Sequence, residues 1–297
     1  MTLKINIIFH KQLHRDAYDF QLPFIKKYFQ FIAVNDKIPK IIPADLQFLV
    51  LKETSIKESS SKFQEKGLKT NSVLLHFHMN PYLLEGVNLI GFFQHDMKFT
   101  SLFAEHIDII QSLAQRSPKH IFVLEAQVCH RYLLQVLDKD NWDIIIGIYN
   151  KKYGKSHTFK DIYFSSIPLF NSFILPKHIF IAMMTFFNDI GVTVTNMVKQ
   201  LNSEECIATI FERCNGLFLR LYSDDNICPW YTLNGINYTQ SLKDSVIEEK
   251  KKDMEIEKVN SLPQRSDVLL AQMIEKVNSQ EKSNAMTVTE FLQKLNK

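Results

Sequence analysis

Leu89-Ile90-Gly91-Phe92-Phe93-Gln94-His95-Asp96-Met97-Lys98-Phe99 is the stretch on which the reading of this chain turns. Apolar residues around one glycine run unbroken into Gln94, His95 and Asp96, and hydrophobic sequence then resumes. A short apolar run with no alternating polar residue predicts a strand buried on both faces, as in a parallel sheet. Its polar end emerges where the ligands of open α/β sheets sit, just beyond the carboxyl ends of the strands. A carboxylate with an imidazole beside it can hold a divalent cation against a diphosphate there. The same Asp96 also fits the plainer role of capping the helix that follows. His95 weighs against that role, because a polar pair at an apolar strand end costs desolvation unless it is satisfied.

Working outward, residues 4–9 predict a first strand ending at His10, and Phe29 to Asn35 a second, stopped by Asp36, Pro39 and Pro43. His10 and Asn35, polar at two early strand ends, fit the nucleotide-binding half of an α/β fold, or simple turns. Lys52 to Lys69 reads as an exposed loop or solvated helix. Thr70 to Leu84 has helical spacing. Its His76 and His78 flank Phe77 and so face different ways, which argues for surface or core-edge positions rather than a metal pair.

Downstream, Ser101 to Arg116 predicts an amphipathic helix ended by Pro118, and Ile121 to Leu124 a buried strand terminating at Glu125 and Gln127. Val128 to Leu137 reads as helix. Asp143 to Asn150 reads as a strand or helix end, and Asn150 with the 151–157 loop is either a contact for ligand or a surface loop. A strand over Ser172 to Leu175 leads through Pro176 into an apolar helix. A second helix spans 204–221, and Asn234-Gly235 marks a turn. Short apolar strands alternating with helices predict an α/β fold with a mainly parallel, twisted sheet flanked by helices.

Composition sets the bounds. The chain has 297 residues, 45% hydrophobic and 23% charged, enough for one large domain with a real core. A formal charge of +3, with no basic stripe interleaved with aromatics, gives no support to a nucleic-acid partner. Neither the Rossmann nor the P-loop glycine fingerprint occurs. Cys129, Cys206, Cys214 and Cys228 form no CxxC pair, the first residues read as a strand start, and no apolar run approaches the roughly 20 residues of a membrane span. These features together predict a cytoplasmic protein without a transmembrane segment. From Ser241 the composition changes: the last 57 residues carry ten basic and ten acidic side chains and a single aromatic, Phe291. The expected organisation is a domain over 1–240 and a charged helical or partly disordered C-terminal extension over 241–297.

Four blocks, in order, carry a resemblance. Residues 91–99, Gly91-Phe92-Phe93-Gln94-His95-Asp96-Met97-Lys98-Phe99, resemble the Gly-x-x-x-(His/Tyr)-Asp-Met segment of a glycosyltransferase family of large DNA viruses and of related bacterial polysaccharide-biosynthesis proteins. Tyr28 to Lys40 is similar to their second-strand segment, Pro168 to Phe180 to their strand-then-helix block, and Phe211 to Arg220 to their late Glu-Arg-x-x-Gly helix.

The resemblance implies a GT-A fold, a nucleotide-sugar donor such as a UDP-sugar, a glycan or glycoprotein acceptor and Mn²⁺ or Mg²⁺; for a viral protein the compartment would be the host cytoplasm. It implies donor binding by His10, Asn35, Gln94, His95 and Asp96, with Asp96 as metal ligand, and Glu212 as general base, Asp189 and Glu125 being the alternatives. The family's usual Asp-x-Asp is here Gln94-His95-Asp96, with one carboxylate. The expected activity is hexosyl or deoxyhexosyl transfer with inversion, the cation offsetting charge on the departing diphosphate. The missing second carboxylate keeps open a protein of the same fold that binds a glycan or partner without turnover.

Overall fold

A computed structural model of the chain describes residues 1–58, 67–200 and 206–238. The expected charged extension lies outside the described residues. In chain order the elements are β1 (Leu3–Phe9), α1 (Leu22–Tyr28), β2 (Phe29–Ala33), β3 (Val50–Lys52), α2 (Thr70–Met79), β4 (Leu89–Gln94) and β5 (Met97–Phe99). There follow α3 (Ser101–Arg116), β6 (Ile121–Val123), β7 (Ala126–Val128), α4 (Cys129–Leu133), α5 (Lys139–Tyr153), α6 (Phe159–Ile162) and β8 (Ser166–Pro168). The last are β9 (Phe173–Pro176), α7 (Lys177–Gln200), α8 (Ile207–Asn226), β10 (Trp230–Thr232) and β11 (Ile236–Tyr238).

Seven strands form the central sheet in the order β10-β6-β9-β4-β1-β2-β3. β1 lies parallel between β2 and β4, β3 continues parallel from β2, and β10 is parallel to β6. β9 alone in this sheet runs antiparallel, between β4 and β6. The α/β class with a mainly parallel sheet is therefore as the alternation of strands and helices predicts.

The side-chain period of two explains why β1 and β4 are apolar throughout. Ile5, Ile7 and Phe9 join Leu89 and Phe93 in one core with α1 and α3, through Ile25, Phe103 and Ile107. Ile8, Ile90 and Phe92 face a second core with α2, α7 and α8. Phe92 is fully buried, and burial of such a side chain stabilises by roughly 1.5–3 kcal/mol. Gly91 sits where the sheet is tightest: a Cβ there would lie 3.0 Å from Cγ1 of Ile174 on β9.

One open alternative is decided and three local expectations meet corrections. Asp143 to Asn150 is helix: Trp142, Ile145, Ile146 and Tyr149 are buried at helical spacing, while Ile144 is 52% exposed. The Asp138 side chain caps this helix by accepting from the Asn141 backbone N–H at 2.8 Å. The stretch from Lys52 is not wholly exposed, since β3 ends at Lys52 and Glu53 is buried. His76 is buried rather than at a surface or core edge, and its Nδ1 lies 3.0 Å from Glu53 Oε1. Pro176 closes β9 instead of opening α7. Helix α7, 24 residues long, is apolar and long enough to cross a bilayer by length and composition, yet Ile179, Phe180, Met183 and Phe187 on it belong to the second core.

Candidate active site

The strand order reverses at β1: β2 and β3 lie on one side of it, β4 and the later strands on the other. The connections leaving β1 and β4 therefore diverge and leave a crevice at their carboxyl ends. His10 follows β1 on one side, and Gln94, His95 and Asp96 end β4 on the other. The His95 backbone N–H donates to Ile8 O at 3.1 Å, carrying the β1–β4 ladder one residue past the strand. The His10 and His95 imidazoles stand edge to face, with ring centroids 6.4 Å apart.

Burial lowers the pKa of both histidines. For His10 the neighbouring His95, Lys40 and Lys69 act in the same direction and Glu53 against them; for His95 the Asp96 carboxylate opposes the burial. Both rings are consequently neutral at pH 7, each with one N–H donor and one acceptor nitrogen.

Asp96 occupies the tight turn between β4 and β5. Its Oδ1 is buried and has no hydrogen-bond partner. The Tyr18 hydroxyl is in the same condition. Tyr18 is held by edge and stacking contacts with Phe29, Phe31 and Phe99, and its phenol is pushed up by burial and then by the charge of Asp96. A second phenol also feels that charge. Tyr238, on β11, donates to Glu125 Oε2 at 2.9 Å, and burial, then Glu125, then Asp96 raise its pKa. β11 reaches this place because it pairs antiparallel with β5, Tyr238 opposite Met97. The charge of Asp96 thus acts on both Tyr18 and Tyr238, and the second is hydrogen-bonded to Glu125 just past β6.

Gln94 is anchored: its Nε2 donates to Phe170 O at 3.3 Å. Phe170 and Asn171 both adopt left-handed φ angles, 58° and 50°. Such a turn is strained for non-glycine residues and needs support. A buried amide set provides it: Asn171 Nδ2 donates to Asn71 Oδ1 at 3.0 Å, and Asn215 Nδ2 donates to Asn171 Oδ1 at 2.9 Å. A groove of about 880 Å³, lined by Arg15, Tyr18, Phe20 and Lys98 among others, adjoins Tyr18. Arg15 is tied there by Asp45 and by the carbonyls of Tyr18 and Phe20.

The structure gathers His10, Gln94, His95 and Asp96 on one sheet edge. Asn35 stands at the end of the adjacent β2, exposed and left-handed at φ 60°, its carbonyl accepting from Lys40 Nζ at 2.7 Å. Glu212 lies on α8 against α4, where Tyr132 donates to its Oε1 at 2.7 Å. Asp189 is set apart on α7 in an ion pair with Lys152 of α5. Asn150 is engaged with the main chain of His157 through both its amide groups, at 2.7 and 3.0 Å, so it braces its own loop. Tyr18 and Tyr238 escaped sequence reasoning. The Asn234-Gly235 turn could have signalled β11, but nothing local marks its pairing with β5.

The donor set bears on a cation. Among the described residues no group of three His, Cys, Asp or Glu side chains gathers to hold a metal. The buried, unpartnered Asp96 Oδ1 nevertheless fits one coordination position of a Mg²⁺ or Mn²⁺ whose other ligands are substrate phosphates and water.

No known family model and no curated protein matches this chain. Among solved structures, that of WbbM, described as a bifunctional glycosyltransferase in apo form, aligns with a TM-score of 0.54 at 13% identity, covering 81% of this chain. The match covers 46% of that protein, so this chain spans less than half its length. Mouse xyloside xylosyltransferase 1 in its apo form aligns with a TM-score of 0.35 at 8% identity, over 78% of this chain and 85% of that one. The likeness to WbbM is one of fold, and the fold is GT-A-like.

Proposed function

We propose that this chain is a glycosyltransferase. It moves a hexosyl or deoxyhexosyl group from a nucleotide-diphosphate donor of the UDP-sugar class to a hydroxyl of a glycan or glycoprotein acceptor, with inversion. One observation carries the reading: Asp96 Oδ1, at the carboxyl end of β4 beside the reversal of strand order, is buried without a partner. A buried unsatisfied carboxylate oxygen costs free energy that a bound ligand recovers.

Asp96 would hold the Mg²⁺ or Mn²⁺, which when bound supplies charge to the departing diphosphate. The neutral His10 and His95 each present a ring N–H suited to phosphate or ribose oxygens. Asn35 and Gln94 line the same edge, Gln94 with its amide oriented by Phe170 O. The Tyr18 hydroxyl, kept protonated by burial and by the charge of Asp96, is a buried donor without a partner.

On the acceptor side, Glu212 is the proposed base that takes the hydroxyl proton, its carboxylate oriented by the Tyr132 hydroxyl. Glu125 competes for this role, since Tyr238 bonds it while also feeling Asp96. Parallel Glu212→Gln and Glu125→Gln variants decide between them, because the base alone should lose turnover while keeping donor affinity. The four cysteines are unpaired, which suits the reducing cytoplasm.

The reading is tested with UDP-sugars and Mg²⁺ or Mn²⁺, following donor hydrolysis, transfer and the melting temperature. Turnover in the wild type and its loss in Asp96→Asn support it. A donor-induced melting shift without turnover would favour the binding protein that keeps the fold. Neither turnover nor a shift would overturn both.

A further inference from the structure

Helix α8 buries a charge that the reading above leaves unused. Arg213 is 5% exposed. Its guanidinium lies over the Tyr132 ring, 4.2 Å from the centroid, and Nη2 donates to Gln135 Oε1 at 2.9 Å. Nε and Nη1 are buried with no hydrogen-bond partner. Arg213 has no ion pair with any carboxylate among the described residues. The N–H of Nε and both N–H groups of Nη1 are therefore donors without acceptors. Guanidinium stays charged at any ordinary pH, so it cannot escape this condition by losing a proton. A buried cation lacking a counter-ion is costly, and packing against one aromatic face does not replace the missing acceptors.

Tyr132 joins this group to the proposed base. Its hydroxyl donates to Glu212 Oε1 at 2.7 Å while its ring face carries Arg213. Burial and then the Glu212 charge raise its pKa, so the phenol remains a donor. An anion on Arg213 would thus stand one side chain away from Glu212. Gln135, which occupies Nη2, is itself exposed, so its amide can turn aside without disturbing the core.

We propose that Arg213 is the oxyanion-binding residue of an acceptor subsite, and that the acceptor carries a carboxylate or phosphate group close to the hydroxyl that receives the sugar. The subsite rests on the reading of Glu212 as the base. Guanidinium suits both oxyanions through paired, charge-assisted hydrogen bonds.

The test is binding by the full-length chain at low salt, read by melting temperature and calorimetry, with inorganic phosphate, glucuronate and neutral glucose as probes. One or both anions should raise the melting temperature saturably and glucose should not. Response to phosphate alone indicates a phosphorylated acceptor; response to glucuronate indicates a uronic-acid glycan. Arg213→Met should weaken the anion by about tenfold or more and, without ligand, melt no lower than wild type, because it removes an uncompensated buried charge. Arg213→Lys should bind detectably but less well. Asp96→Asn should leave the anion response intact, which separates this subsite from the donor site. Anion binding that persists in a wild type without transfer activity would leave the subsite standing and remove only the enzyme. No response to either anion, an equal response in Arg213→Met, or a marked fall in the melting temperature of unliganded Arg213→Met would overturn the proposal.

Discussion

Asp225 and Asp96 are both carboxylates set into the folded domain, and they are handled in opposite ways. Asp225, near the end of α8, is 9% exposed and has both oxygens engaged: Tyr149 donates to Oδ2 at 2.7 Å, while Oδ1 lies 3.0 Å from His157 Nε2 and 3.3 Å from Lys155 Nζ. These contacts lock the 155–157 loop onto α8. Burial pushes the Asp225 pKa up, but the hydrogen bonds from Tyr149, His157 and Lys155 outweigh it and hold the carboxyl below its ordinary range. Asp96 leaves a buried oxygen with nothing to bond. A satisfied carboxylate stabilises the fold it sits in; an unsatisfied one stores a cost that only something bound can offset.

The sharpest way to break this contrast is substitution of each by Asn. Asp96→Asn should lower transfer by about 10²–10³-fold, as loss of a group stabilising transition-state charge does, with melting unchanged or slightly raised. Asp225→Asn should do the reverse, losing about 2 kcal/mol in urea unfolding while keeping its transfer rate. If Asp96→Asn unfolds and Asp225→Asn loses activity at full stability, the two roles are exchanged.

Acid should separate the regions next. The pKa values of His10 and His95 are lowered on folding, so the unfolded chain takes their protons first. Their contribution is complete above the unfolded pKa of about 6.5 and is lost as pH falls from there through the lower folded values. Asp225 is depressed, so its contribution is present above the unfolded carboxylate pKa of about 4 and is lost as pH falls through the folded value. Unfolding free energy against pH should fall in two stages, the upper removed by a His10→Gln, His95→Gln double variant and the lower by Asp225→Asn.

The smallest effects come from single hydroxyls. Tyr149→Phe removes a bonded one and should cost about 1 kcal/mol. Tyr18→Phe removes an unbonded one and should cost nothing measurable in the free protein, while donor affinity measured by calorimetry falls.

Helix α3 has the bounds that its apolar spacing and Pro118 predict, because local periodicity and a stop signal agree there. Asp143 to Asn150 is open between strand and helix in the sequence because a run of isoleucines carries strand propensity, and packing against α7 and α6 goes with the helix. β3 is three residues long and carries too little pattern to announce itself. In the candidate site, the positions of His10, His95 and Asp96 at strand ends are legible in the sequence. Tyr18, Tyr238 and Arg213 are not, since their significance lies in partners, or their lack, far along the chain.

The sequence by itself determined that apolar strands buried on both faces alternate with helices, and that polar side chains stand at the ends of β1 and β4. Side-chain period and burial are local properties, and they are written in any window of the chain. Only the tertiary structure decided which of those polar groups is satisfied. It paired β11 with β5, brought Tyr238 to Glu125, and gave Asp225 its partners, while Asp96 and Arg213 kept buried polar atoms without any. Hydrogen-bond satisfaction depends on groups that meet across long sequence separations, and no local pattern encodes it.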